Sequence, residues 1–224
     1  MDFVRGLEQL PLFPLNTVLF PYASIQLHVF EERYQSMVRE CIAADSPFGI
    51  VLIRSGFEVG EIADPYRVGT AVRIKEVHNY DDGRMDIYVQ GERRFRIRHL
   101  DDREAHLIGL VEPVEEEPVS DPDRAAFLLE QAREEFEVLV QRLFERQEFG
   151  VQVVFPPDPV ALSFTIANLL SMENINKQRL LETTDTIERF EALLPVLRTH
   201  IMDADQPSYY RIDSQELREW ISPN

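Results

Sequence analysis

The feature that most constrains this chain is a change of hydrophobic period near its middle. Before Glu112-Pro113-Val114-Glu115-Glu116-Glu117-Pro118, apolar residues alternate with polar ones in short runs; after it, they recur every three or four residues. Alternation puts successive side chains on opposite faces of a strand, whereas the longer spacing lines one side of a helix. Two periods in separate blocks predict an α+β architecture, not an alternating α/β one. With 224 residues, 44% of them apolar, the chain has core material for one large domain or two small ones.

Leu10 to Leu15 and Val18 to Pro21 are apolar pieces punctuated by Pro11, Pro14 and Pro21, which predicts strand ends and turns at a sheet edge. Tyr34, Met37, Val38, Cys41 and Ile42 then fall at helical spacing, and Pro47 follows that early helix. Phe48 to Ile53 reads as a strand. Val72 and Ile74 lead into Tyr80-Asp81-Asp82-Gly83, whose glycine suits a hairpin turn. The return strand has Met85, Ile87, Val89, Phe95 and Ile97 on one parity and Asp86, Tyr88, Gln90, Arg94, Arg96 and Arg98 on the other, with a bulge expected near Gly91. Leu107 to Val111 is a last strand.

Asp121 before Pro122 and Asp158 before Pro159 are helix starts, an N-cap followed by proline at the first helical position. Ala125, Leu128, Leu129, Ala132, Phe136, Leu139, Val140 and Leu143 form one stripe, with Gly150 as its stop. Leu162, Ile166, Leu169 and Leu170 form a second. Asp185 with Glu188 resembles a capping box before Ile187, Phe190, Leu194, Leu197 and Ile201, and Pro195 is expected to kink that helix. The resulting divisions are a β-rich part over 1–118, a bundle of about four helices over 119–202, and a loosely attached polar tail over 203–224.

Composition narrows the function. No run of apolar residues approaches a membrane span, and Met1 to Arg5 carries no secretory pattern, so a cytoplasmic, membrane-free protein is expected. One cysteine, Cys41, gives neither an internal disulfide nor a thiolate zinc site and reads as a small buried hydrophobe. The formal charge of −17, with Lys75 and Lys177 the only lysines, opposes phosphate-backbone binding.

Taken in order, four blocks resemble the N-terminal, substrate-binding domain of Lon proteases. They are Leu10-Pro11-Leu12-Phe13-Pro14-Leu15 through Leu27-His28-Val29-Phe30-Glu31-Glu32-Arg33-Tyr34; Val68-Gly69-Thr70-Ala71 through Gly91-Glu92-Arg93-Arg94-Phe95-Arg96-Ile97; Asp158-Pro159 with Ile166-Ala167-Asn168-Leu169-Leu170; and Lys177-Gln178-Arg179-Leu180-Leu181-Glu182 with Glu188-Arg189. The resemblance spans roughly residues 9 to 200. It departs at Tyr22, where the family usually has glycine, and at Gln26 and Glu32, where it often has proline. It implies a PUA-like β barrel or pseudo-barrel followed by a helical bundle, and a role in recognising unfolded substrates. The chain reads as a stand-alone member: no glycine-rich phosphate loop ending in Gly-Lys-Ser/Thr is present, and no Ser-Lys peptidase follows.

Other chemistry is weighed on its residues. His99 and His106 bracket Asp101-Asp102 and are read as polar strand positions, not metal ligands. His28 is read as packed and hydrogen-bonded, Arg33 as the partner of a nearby carboxylate, and Tyr34 as core. Glu115-Glu116-Glu117 reads as a solvated connector. Arg94, Arg96 and Arg98 share one strand face and read as exposed and balanced by acidic neighbours.

The leading expectation is a non-enzymatic binding module, without cofactor or metal, for unfolded or flexible polypeptide or a dedicated protein partner. An exposed sheet edge can pair with an extended peptide. Tyr22, Phe57 and Tyr80, aromatics in predicted loops or turns, are the candidate contact residues. Two other classes stand beside it. A small hydrolase requires a deep pocket with convergent polar groups, and an RNA-binding PUA-like module requires a contiguous arginine surface.

Overall fold

The computed structural model describes residues 7–58, 60, 63–144, 151–153, 155–203 and 221–223. In chain order these form β1 (Glu8–Leu15), β2 (Ser24–Val29), α1 (Glu32–Ala44), β3 (Phe48–Ser55), β4 (Asp64–Pro65), β5 (Val68–Asn79), β6 (Met85–Asp101) and β7 (Ile108–Pro113). There follow α2 (Pro122–Phe144), β8 (Val151–Val153), α3 (Pro159–Leu169), α4 (Asn174–Glu182), α5 (Thr186–Asp203) and β9 (Ile221–Pro223). Contacts divide the chain into one unit of Met1–Glu115 with Asn174–Glu182 and another of Glu116–Glu173 with Thr183–Asn224.

Five strands of the first unit close into a barrel. The sheet runs β1-β7-β6-β5-β3, and β3 pairs in parallel with β1 to complete the ring. Sequence reading placed the opening prolines at a sheet edge; β1 instead closes the barrel. Its prolines are tolerated because the strand changes partner along its length. Glu8 to Pro11 pair with β7, while Leu12 to Leu15 pair with β3, so each proline faces a neighbouring strand on one side only.

The unit has two apolar clusters. Leu10, Leu12, Val51, Ala71, Phe95, Ile97 and Val111 fill one. Phe13, Leu27, Val29, Phe48, Ile50, Val72, Met85, Ile87 and Val89 pack with Tyr34, Met37, Val38 and Cys41 of α1 in the other. The apolar parity of β6 therefore serves both. The switch is a bulge: Arg93 lies opposite Ala71 and Gly91 opposite Val72, leaving Glu92 as the extra residue. One inserted residue reverses which face later odd positions occupy, so Phe95 and Ile97 enter a different cluster from Met85, Ile87 and Val89. Ile42, assigned to the α1 stripe, is exposed.

α4 also belongs to this unit. Gln178 donates to the Val68 carbonyl at 3.0 Å, and Arg94 donates to the Leu181 carbonyl at 2.7 Å. Arg94 is consequently buried, contrary to its expected exposure.

The second unit begins with the expected caps. Asp121 accepts from the Arg124 N–H at 2.9 Å and Asp158 from the Ala161 N–H at 2.8 Å. Asp185 accepts from the Ile187 N–H at 2.7 Å before α5. The Glu115–Glu117 connector is not simply solvated. Glu116 pairs with the fully buried Arg189 at 2.9 Å, and the Glu117 N–H donates to the Thr184 carbonyl at 3.0 Å. α5 continues through Pro195. Of the tail, Ile221–Pro223 forms β9 and pairs antiparallel with β8. Gly150, the expected helix stop, lies outside the described residues.

Candidate functional site

Beyond the ring, the β5–β6 hairpin continues and carries β2 on its far side. Antiparallel pairing sets His78 opposite Asp86, and Asp86 opposite His28, so the three share one row and one face. The hairpin turn closes with the Tyr80 N–H donating to the Arg84 carbonyl at 2.9 Å, and Gly83 takes a φ of 88° that a side chain would strain. This geometry brings the Tyr80 ring over the row. Its hydroxyl donates to Asp86 Oδ2 at 2.7 Å, and its ring meets His78 edge-on at 4.9 Å and His28 at 6.2 Å. His28 Nδ1 is 2.6 Å from Asp86 Oδ1, and Phe30 stacks beside His28 at 6.1 Å. The Tyr80 hydroxyl and then His28 hold the Asp86 carboxyl below the usual carboxylate range; the same hydrogen bond raises the Tyr80 phenol.

Exposure is what separates this cluster from a core. Phe30 is 49% exposed and Tyr80 40%, so aromatic surface faces solvent while Asp86 fixes the Tyr80 and His28 side chains. His28, expected to be packed, is hydrogen-bonded but exposed. Phe30 and His28 escaped selection because both fall in a strand-to-helix segment where apolar residues are ordinarily buried.

The three aromatics chosen from sequence are all exposed but do not converge. Tyr22, at φ 69°, lies where its N–H reaches the Gly91 carbonyl at 2.9 Å, beyond the opposite end of β2 from His28. By the rise of an extended strand, that is about 20 Å from the Tyr80 end. Phe57, 69% exposed, sits between β3 and β4 in a loop tied by Glu58 to the Asn16 N–H and by the Gly60 N–H to Glu31.

A second feature of the same unit is an open cleft of about 860 Å³ whose lining includes Glu32, Arg33, Ser36, Glu40, Asp101 and His106. It contains the residue types of a nucleophile, a base and an orienting carboxylate. They are not linked into one constellation. Arg103 clamps Asp101 through both carboxylate oxygens, at 2.8 and 2.5 Å, and brings its pKa down to about 2. Among the described residues no hydrogen bond joins Ser36 to His106. Arg33 Nη2 lies 2.9 Å from Glu31 as an ion pair, although its N–H directions miss the carboxylate. Tyr34 is core, stacked on Phe13 at 4.2 Å.

The arginines of β6 form no continuous basic surface. Arg93 pairs with Glu8 at 3.0 Å, Arg98 pairs with Glu112, and Arg94 is buried. Among the described residues no three His, Cys, Asp or Glu side chains converge as metal ligands, and no helix is long and apolar enough to cross a membrane.

The ATP-dependent protease La (LON) substrate-binding domain matches residues 9–199. Lon protease 1 of Thermus thermophilus is 31% identical over 204 residues, covering 88% of this chain and 25% of its own length. The Lon protease of Escherichia coli K12 is 28% identical over 86% of this chain and 25% of its own. The chain thus spans about a quarter of these relatives. A crystal structure of a Lon N-terminal domain protein from Xanthomonas campestris matches with TM-score 0.58 at 31% identity, covering 84% of this chain and 98% of that one. The N-terminal domain of Mycobacterium avium complex Lon protease matches with TM-score 0.64 at 20% identity, covering 86% and 100%, a likeness of fold.

Proposed function

Because the chain belongs to the LON substrate-binding domain family, we propose that it is a non-enzymatic module that binds unfolded or flexible polypeptide. The observation that carries this reading is the solvent-facing ring cluster of Tyr80, His28 and Phe30 on the hairpin extension. Tyr80 and His28, held by hydrogen bonds to Asp86, with Phe30 stacked beside His28, present exposed rings that bind apolar side chains at little entropic cost. The polar cleft supplies no linked nucleophile and base, which speaks against the hydrolase reading. The charge-compensated arginines speak against the RNA reading.

The test is fluorescence anisotropy of a labelled, permanently unfolded polypeptide titrated with the protein at physiological salt, beside its folded counterpart. Saturable binding to the unfolded form alone is expected. Changing Tyr22, Phe57 and Tyr80 together to Ser weakens binding and leaves the melting temperature nearly unchanged. No binding up to high micromolar protein would discard the client-binding reading in favour of a dedicated protein partner.

A further inference from the structure

β2 has β6 on one side, and among the described residues it has no strand on the other. The Gly91 N–H donates to the Ala23 carbonyl at 2.8 Å, so Gly91 bonds toward β2, at a bulged end of the ladder where its carbonyl accepts from Tyr22 at 2.9 Å instead of from Ala23. Hydrogen-bonded pairs alternate along an antiparallel ladder, so Ile25, Leu27 and Val29 bond to β6 while Gln26 and His28 aim their N–H and C=O groups outward. Both residues are exposed, and among the described residues no hydrogen bond from elsewhere reaches their backbone.

The two borders of this three-stranded extension are built differently. Along β5 the border carries Arg73, Lys75, Glu76 and His78, the charged pattern that deters strand addition. β2 reads Ser-Ile-Gln-Leu-His-Val and has no charged Asp, Glu, Lys or Arg.

We propose, resting on the polypeptide-binding reading above, that the outer border of β2 takes an extended client segment as an added strand. The preferred segment places a Lys or Arg beside His28. Charge complementarity selects this occupant. The chain carries −17 overall; at the hairpin, Asp82 is balanced by Arg84 and the turn carbonyl of Gly83 accepts from Arg39, while Glu76 and Asp81 beside Asp86 enter no ion pair among the described residues. An added strand lies two strand spacings, about 10 Å, from the β6 backbone at Asp86, within reach of an arginine side chain. There the guanidinium meets the Asp86 carboxylate and the exposed ring of Phe30, beside the Tyr80 ring, over which Arg84 already lies at 5.9 Å.

The experiment uses the full chain and labelled peptides of about twelve residues alternating Thr and Val, with one central Arg, Gln or Glu. The Arg peptide is expected to bind roughly threefold to tenfold more tightly than the Gln peptide, and the Glu peptide more weakly still. Tyr80→Ala with Asp86→Asn collapses that difference. N-methylation of the alternate peptide amides that face β2 abolishes binding, while methylation of the other set leaves it within about twofold. Gln26→Pro, which removes an outward N–H and no bond to β6, gives the same loss from the protein side.

Equal tolerance of both methylation sets overturns strand addition. Equal affinity for Arg and Gln peptides overturns the basic preference. If the permanently unfolded polypeptide also fails to bind, the parent reading itself is wrong; if it binds while these peptides do not, only the β2 assignment falls.

Discussion

Arg189 is the place where one side chain does most for the helical unit. It is fully buried, and its guanidinium donates to Ser163 Oγ at 2.8 Å, the Thr183 carbonyl at 2.6 Å, Glu116 at 2.9 Å and Thr186 Oγ1 at 3.1 Å. It also lies 4.2 Å from the centre of the Phe164 ring. Burial lowers its pKa, and Glu116 opposes that shift. Arg189→Met keeps much of the volume, so the cavity contribution is small, but it strips donors from buried acceptors at about 1–3 kcal/mol each. Ser163 keeps its own bond to the Val160 carbonyl at 2.7 Å, which softens one of these losses. Recovering the desolvation cost of the guanidinium offsets part of the rest. The expected net loss is about 3 kcal/mol. Urea unfolding followed by helical circular dichroism reads this as a midpoint lowered by about 1–1.5 M, with the slope unchanged. Arg189→Lys retains the charge facing Glu116 but cannot serve four acceptors, and loses about 2 kcal/mol. A stability for Arg189→Met within about 0.5 kcal/mol of the parent would refute the hub.

Three further outcomes follow from local geometry. Tyr22→Gly relieves a side chain held at φ 69° and raises stability by about 0.5–1 kcal/mol; a lower melting temperature contradicts that. Gly69→Ala places a methyl 2.6 Å from Val51 Cγ1 and 2.8 Å from the Phe95 ring, with the Ile50 carbonyl nearer still, and costs more than about 2 kcal/mol in denaturant unfolding. Burial, the leading cause, pulls the His106 pKa below 6.5. The unfolded state therefore takes up the proton more readily, so His106 leaves stability intact above about pH 6.5 and erodes it as pH falls below that value. His106→Gln flattens the unfolding midpoint between about pH 7 and 5, and an unaltered pH slope removes the argument.

Most of this architecture could be read locally. The Asp-Gly turn, the three aspartate caps and the apolar stripes of α2 and α5 each depend on residues a few positions apart, and each stands as expected except at Leu143, whose side chain lies outside the described residues. What escaped depends on distant partners. Met85, Ile87, Val89, Phe95 and Ile97 share a parity, and nothing in that pattern says that Glu92 sends them to two clusters. Arg94 looks like a surface arginine until α4, some ninety positions on, supplies Leu181. Glu116 looks like linker until Arg189 claims it. For the candidate site, Tyr80 was visible because a ring in a tight turn has no core to enter. Phe30 and His28 were not, since their exposure depends on β2 having one neighbour.

An uncharged open strand is a hazard as well as a binding surface, because a second copy of the chain offers the same border. Two antiparallel β2 strands can pair about a twofold axis, and nothing in Ser-Ile-Gln-Leu-His-Val opposes that pairing by charge. The opposition comes from the rest of the molecule: each copy carries −17, so copies repel while a basic client is drawn in. Repulsion of this kind fades as salt shortens the screening length from about 10 Å at 0.1 M to about 3 Å at 1 M. Sedimentation velocity should therefore show self-association growing from low to high salt, over the range in which Arg-peptide binding weakens. Gln26→Pro should suppress the association without altering the fold, since the lost N–H faces away from β6. If association instead falls with salt, or Gln26→Pro leaves it untouched, the β2 border is not the contact and charge is not what keeps it open.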